Sequence, residues 1–218
     1  MNSSGRLFLT FSYVLLISGS IWMVMLPKGT MVLWLNAHYT DFLNIFFTYF
    51  TYLGDGILIG ILILVLLAFR FSWSGMMTFM GLLQLLVVQG LKKFVFGPME
   101  RPASFFENAL PPLNIVEGVD VHHLFTMPSG HTTTAFSIAF ILVLIFNPGA
   151  KWTTTLFVSA TLVGLSRIYL AQHFLIDSLV GCVLGMLLAF TTFKVFEMLR
   201  NKNPESGFFN RSLRSSKN

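Results

Sequence analysis

Two histidines, an aspartate, two arginines and a serine carry the clearest chemical signal in this chain. His173 and Asp177 lie four residues apart at the start of an apolar run, a spacing that puts both on one helix face, about a turn apart. A carboxylate placed there can hold the proton on one ring nitrogen and leave the other free as a nucleophile. The plainer alternative is an interfacial histidine beside a helix-start aspartate. Pro128-Ser129-Gly130-His131 opens another apolar run. A helix start offers free N–H groups and a partial positive end, which suit an anion. Gly130 lets backbone approach a ligand, and Ser129 serves either that ligand or the helix as an N-cap. His131 beside a bound anion could protonate a leaving oxygen. Arg101 and Arg167 present planar forks that match phosphoryl oxygens. Lys92 and Lys93 either add positive charge or snorkel from a helix end. Asp55, between two glycines, suits a turn or could point into such a site. His122 and His123 read as loop residues. These residue types together describe phosphate chemistry.

Those groups are far apart in sequence, so the elements between them must bring them together. Of the 218 residues, 55% are hydrophobic and only 11% charged, with mean hydropathy +0.74. Soluble domains carry roughly a quarter charged residues, so the composition indicates a polytopic, all-α membrane protein with a single domain. The net charge of +5 is too scattered for a nucleic-acid footprint, although six basic residues fall in the last 25 positions and suit an anionic membrane surface. Cys182 is the single cysteine, which rules out an internal disulfide and the usual cysteine-based metal spacings.

Six spans are expected. The first is residues 7–26, too long and without an Ala-x-Ala site for a secretory signal, and so read as an uncleaved helix. Residues 28–53 mix aromatic and polar side chains, as interfacial helices do, and Gly54-Asp55-Gly56 breaks them. The other spans are expected at about 57–71, 76–95, 131–146, 152–170 and 174–196, with a tight turn at Ser72–Ser74, a long loop over 103–127, and a strong stop at Asn147-Pro148-Gly149. Residues 1–199 would form the transmembrane domain, and 200–218 a loose, polar cytoplasmic tail. With the N-terminus inside, nine basic residues fall inside and five outside, in the direction of the positive-inside rule. All five histidines and seven of the nine acids then lie outside.

At these positions the chain resembles the phosphatidic acid phosphatase type 2 superfamily. That family carries Lys-x6-Arg-Pro, Pro-Ser-Gly-His and Ser-Arg-x5-His-x3-Asp. The second motif is intact at Pro128–His131 and the third at Ser166–Asp177. The first departs: seven residues separate Lys93 from Arg101-Pro102, and Phe94 stands where the lysine belongs. A one-residue bulge near Gly97-Pro98 would restore the reach of Lys93, with Lys92 as its rival. The motif core spans 92–177. The resemblance implies that His173 attacks phosphorus, oriented by Asp177, to form a phosphohistidine. It implies that His131 protonates the leaving oxygen and then helps water hydrolyse the intermediate. Lys93, Arg101, Ser129, Gly130 and Arg167 would hold the phosphoryl oxygens. No cofactor or metal is expected, because fixed positive groups abound and no carboxylate cluster of the Mg²⁺-holding kind is present. The substrate would be a membrane lipid phosphate or diphosphate monoester, such as undecaprenyl diphosphate or phosphatidylglycerol phosphate. It would be cleaved at the periplasmic or outer face of a bacterial inner membrane. A lipid phosphotransferase on the same scaffold is the first alternative. A small membrane transporter is the second, and the scarcity of charge within the spans argues against it.

Overall fold

Caps encoded in the sequence fix where the helices begin and end. The computed structural model describes residues 1–109, 111–211 and 213, and these form helices and loops without strands. Asn2 caps α1 (Ser3–Met25): its side chain accepts from the Gly5 N–H at 2.7 Å and donates to the carbonyls of Val143 and Leu144. After α2 (Thr30–Ala37), Thr40 caps α3 (Asp41–Phe50), which tightens into a 3₁₀ turn over Thr51–Gly54. Asp55 caps α4 (Gly56–Phe69), accepting from the Ile57 N–H at 2.9 Å. Helix α5 (Phe71–Gly90) runs on as a π-turn over Leu91–Phe96. A short α6 (Pro102–Phe105) and a loop lead to α7 (Gly130–Phe146), capped by Ser129. The expected stop at Asn147 is realised, with that residue left-handed at φ 45°. Then follow α8 (Gly149–Tyr169), α9 (Leu175–Lys202) and α10 (Gly207–Asn210).

Among the described residues, α1, α5 with its π-turn, and α9 are long and apolar enough to cross a membrane. A fourth span arises if α3 and α4, bent by 54°, are counted as one. Helix α7 is apolar but has only 17 residues, and α8, with 21, carries threonines, serines, Lys151 and Arg167. Length and composition thus support three or four spans, fewer than the six expected. The turn expected at Ser72–Ser74 is absent. Arg70 alone makes the bend, and those serines begin α5. The tail is not loose from Arg200 either. Helix α9 continues to Lys202, and α10 folds back so that Phe209 is buried and the Phe71 N–H donates to the Arg211 carbonyl. Arg214 and Lys217, counted among the inner charges, lie outside the described residues.

Helix α7 is the centre of the bundle, with most of its residues buried. Phe8 of α1 stacks on Phe140 at 5.2 Å and meets Phe136 and Phe157 edge-on. Helix α9 crosses α7 on a Gly181-x-x-x-Gly185 surface, a small-residue pattern that lets helix backbones come close. A Cβ at Gly185 would sit 2.5 Å from the Thr133 carbonyl oxygen and 2.9 Å from the Ser137 nitrogen. Since those are backbone atoms, Gly185→Ala is expected to force α7 and α9 apart and lower stability by about 1–3 kcal/mol. Thermal unfolding in detergent measures this, and an unchanged midpoint would contradict the close packing.

Candidate active site

The α7–α9 contact places the two intact motifs side by side. The Ser129 N–H donates to the Asp177 carbonyl at 3.1 Å, which ties the start of α7 to the first turn of α9. The chain between α8 and α9 turns sharply. Ala171 is left-handed at φ 53°, and the N–H groups of both Gln172 and His173 donate to the Arg167 carbonyl. This fold-back seats His173 over the end of α8, where it is 2% exposed.

His173 Nδ1 faces Asp177 Oδ2 at 3.4 Å and the Thr126 hydroxyl at 3.4 Å. The Asp177 oxygen is held from two other sides: the Thr126 hydroxyl donates to it, and the Phe174 N–H donates at 2.8 Å. Asp177 is therefore fixed in rotamer and presents one oxygen to the ring. The tautomer this favours has hydrogen on Nδ1 and a free lone pair on Nε2. Burial pushes His173 down from the ordinary 6.5 to about 3, against the opposing hydrogen bond from Asp177. The ring is thus neutral at physiological pH, as a nucleophile must be. Because the folded-state value is depressed, the unfolded chain takes up this proton first as pH falls. The stability contributed by neutral His173 is present above about pH 6.5 and is lost as pH drops toward about 3. Ring-nitrogen NMR in detergent, compared with His173→Gln to assign the signal, is expected to show His173 neutral at pH 5. A titration midpoint near 6.5 would contradict its burial.

Arg101 is buried and multiply held. Its Nε donates to the Leu124 carbonyl at 2.9 Å, and one terminal nitrogen reaches both the backbone and side-chain oxygens of Gln172 at 3.2 Å. Gln172 in turn donates to the Asp120 carbonyl at 3.0 Å. Arg167 donates to the Thr51 hydroxyl at 3.1 Å, while its buried Nε has no partner among the described residues. The charges of Arg101 and Arg167 are felt at both His131 and His173, so all four side chains share one end of the bundle. Ser129 is fully buried and is an N-cap, its hydroxyl accepting from Thr132 Oγ1 at 2.9 Å. Among the described residues, the N–H groups of Gly130 and His131 have no backbone partner outside the helix and remain among the free donors of its start.

His131 has a different set of neighbours. Its Nε2 is 3.9 Å from Asp55 Oδ2, and the 3₁₀ turn packs so tightly there that a Cβ on Gly54 would meet the His131 carbonyl oxygen at 2.5 Å. Asp55 therefore caps α4 and also reaches the site.

The first motif is where the structure departs from expectation. Lys93 is exposed, whereas Lys92 is half-buried and within electrostatic range of Arg101, Asp177 and Arg167. In place of the bulge expected near Gly97-Pro98 to bring in Lys93, a π-turn winds Leu91–Phe96, with Lys92 the more buried lysine and Phe94 87% exposed. Gly97 then takes φ 68° and ψ −163°, a conformation open essentially to glycine alone. Lys92→Ala is expected to reduce kcat/KM for a phosphate ester by about 10–100-fold, and Lys93→Ala by less than about threefold. Steady-state phosphate release checks this, and the reverse ranking would put Lys93 back in the site.

Thr126, Gln172, Thr51 and Asp55 are contributors that sequence reasoning passed over or left as turn residues. Adjacency offered a weak signal for Thr126, two residues before the second motif, and for Gln172, within the third and next to His173. Nothing in the sequence points to Thr51. Among the described residues, no three His, Cys, Asp or Glu side chains converge as a metal-ligand group.

Two solved structures are similar to this chain. LpxE from Aquifex aeolicus is 30% identical with a TM-score of 0.66, over 78% of this chain and 96% of that one. A transmembrane PAP2-type phosphatidylglycerolphosphate phosphatase from Bacillus subtilis is 25% identical, over 90% of this chain and 97% of that one, with a TM-score of 0.48. The family model described as PAP2 superfamily matches residues 73–201, more than half of the 218-residue chain and all of the second and third motifs. With its buried His173–Asp177 pair, its clustered arginines and its membrane-spanning helices, this chain belongs to the PAP2 superfamily and has that family's lipid phosphatase fold.

Proposed function

We propose that the protein is an integral membrane lipid phosphatase that hydrolyses a lipid phosphate or diphosphate monoester through a phosphohistidine on His173. The observation that carries this is the buried triad of His173, Asp177 and Thr126 beside two arginines whose charges reach both histidines. The His173 Nε2 lone pair attacks phosphorus, and the P–O bond to the lipid breaks. His131 gives its proton to the departing oxygen, Asp55 offering the charged ring a partner. Water then attacks the phosphohistidine, its proton goes to His131, and the N–P bond breaks to release phosphate. Arg101, Arg167, Lys92, Ser129 and the Gly130 N–H stabilise negative charge on the phosphoryl oxygens, which supplies most of what phosphoryl transfer requires. An unpaired buried donor costs about 1–3 kcal/mol. A phosphoryl oxygen meeting Arg167 Nε would offset that cost.

Within this proposal, six spans cross the inner membrane of a bacterium, α7 and α8 included. The site faces the periplasm or exterior, and residues from 200 onward lie on the cytoplasmic side. The charge asymmetry of the loops supports that orientation. Undecaprenyl diphosphate, phosphatidylglycerol phosphate and phosphatidic acid are candidate substrates. The reaction is metal-independent in this scheme, since arginine, lysine and N–H donors do the work of a cation. The test is phosphate release from a panel of detergent-solubilised lipid phosphates with EDTA present. Release from at least one lipid is expected. A strict need for added Mg²⁺, or phosphate appearing on an acceptor lipid instead of in solution, would overturn the scheme.

A further inference from the structure

A groove of about 470 Å³ runs between α4 and α5 and reaches the start of α7 at Gly130 and His131. Much of its wall is apolar or glycine, and a Cβ at Gly56 or Gly60 would meet nothing within 4 Å. An alkyl chain fits such a surface. Two glutamines do not belong on a wall built for hydrocarbon alone. Gln84 is buried where α5 meets α7. Its amide donates to the Thr134 hydroxyl and accepts from Ser137 Oγ at 2.9 Å, and Thr134 passes the chain to the Gly130 carbonyl at 3.1 Å. Among the described residues each end of that amide keeps one unused hydrogen-bonding position, and the residue lines the groove. Gln84 alone could be helix–helix glue. Gln89 cannot: it lines the same groove five residues nearer the site, it is exposed, and no hydrogen bond engages its side chain among the described residues. Its amide is therefore free to bond a polar group on a lipid lying in the groove.

The geometry sets where that partner would sit. Thr134, level with Gln84, is four residues past Gly130, about 6 Å farther into the bundle along α7. A group a few covalent bonds from the phosphorus reaches this level. Given the proposed role of His131 at the leaving oxygen, on which this depends, the departing lipid is the occupant. We infer that the groove selects lipid phosphates carrying a hydrogen-bonding acyl linkage, an ester or amide, next to the phosphate, with Gln84 and Gln89 as its specificity determinants. A polyprenyl chain leaves both amides unanswered and is discriminated against.

The test is kcat/KM in mixed micelles for three probes: dioleoyl phosphatidic acid, ceramide 1-phosphate and a C55 polyprenyl phosphate. The wild type is expected to favour at least one acyl-linked probe over the polyprenyl probe by roughly tenfold or more. The ester and the amide probes separate the two sources of the linkage. Gln84→Leu and Gln89→Leu are each expected to shrink the acyl-to-polyprenyl ratio several-fold. Gln89 makes no packing-critical bond, so its variant keeps the test alive if Gln84→Leu does not fold. A wild type that turns over the polyprenyl probe as well or better, or a ratio unmoved in the folded variants, overturns the inference while leaving the phosphatase assignment standing. Release from none of a broad lipid-phosphate panel sinks both.

Discussion

His173→Ala is expected to abolish phosphate release, with a fall in kcat on the order of 10⁴-fold or more. The size follows from what the residue does. It forms the bond to phosphorus, and no neighbour can take its place: Asp177 is turned toward Nδ1 and held by Thr126 and the Phe174 N–H. Binding is expected to persist, because Arg101 is anchored by Leu124 and Gln172, and Arg167 by Thr51, none of which depends on the imidazole. The variant should therefore retain affinity for a non-hydrolysable lipid phosphonate while losing turnover. Activity within tenfold of wild type would remove His173 as nucleophile.

The second large effect concerns His131 and depends on the leaving group. A general acid contributes roughly 10²–10⁴-fold when the departing oxygen needs a proton. A lipid alkoxide needs one. A nitrophenolate does not. His131→Ala is thus expected to lose about 10³-fold on an alkyl phosphate and far less on the first step with p-nitrophenyl phosphate. With the activated ester the variant should show a burst of nitrophenol followed by a slow steady state, since hydrolysis of the phosphohistidine still lacks its base. Asp55→Asn is a useful companion, since its carboxylate stands 3.9 Å from the His131 ring. Equal losses on both substrates, with no burst, would mean that His131 serves only to position the phosphate.

Part of the candidate site's layout was legible because motif residues sit at or next to helix starts and ends, where composition and capping signals are strong. The N-cap role that stood as the alternative for Ser129 is present. Asn147-Pro148-Gly149 reads as a stop and is one. The His173–Asp177 spacing does bring the two side chains together, although His173 sits in the turn before α9 and not on that helix's face. What failed depended on how chain segments wind or meet in three dimensions. The choice between Lys92 and Lys93 turned on a π-turn, and nothing in a run of Leu, Lys, Phe and Val signals one extra residue per turn. Thr126 and Thr51 became site residues through long-range contacts, to Asp177 and Arg167, that periodicity does not encode. Span counting is supported only in part for a related reason. Helix α7 is short and the break between α3 and α4 bends the path, so by length and composition three or four of the six expected spans are long and apolar enough to cross. The tail appeared too polar to pack, yet Phe208 and Phe209 dock it onto α5 and α9.

The central claim is that one phosphorus atom is passed between the lipid and His173 within reach of His131. The most direct measurement is to mix His131→Ala with p-nitrophenyl phosphate, quench in base and locate acid-labile phosphate by peptide mass spectrometry. The phosphoryl group is expected on the peptide bearing His173, at about one per active protein, and absent from the His131→Ala/His173→Ala double variant. A phosphopeptide elsewhere in the chain, or nitrophenol released at wild-type rate with no trapped phosphoprotein, would contradict the account.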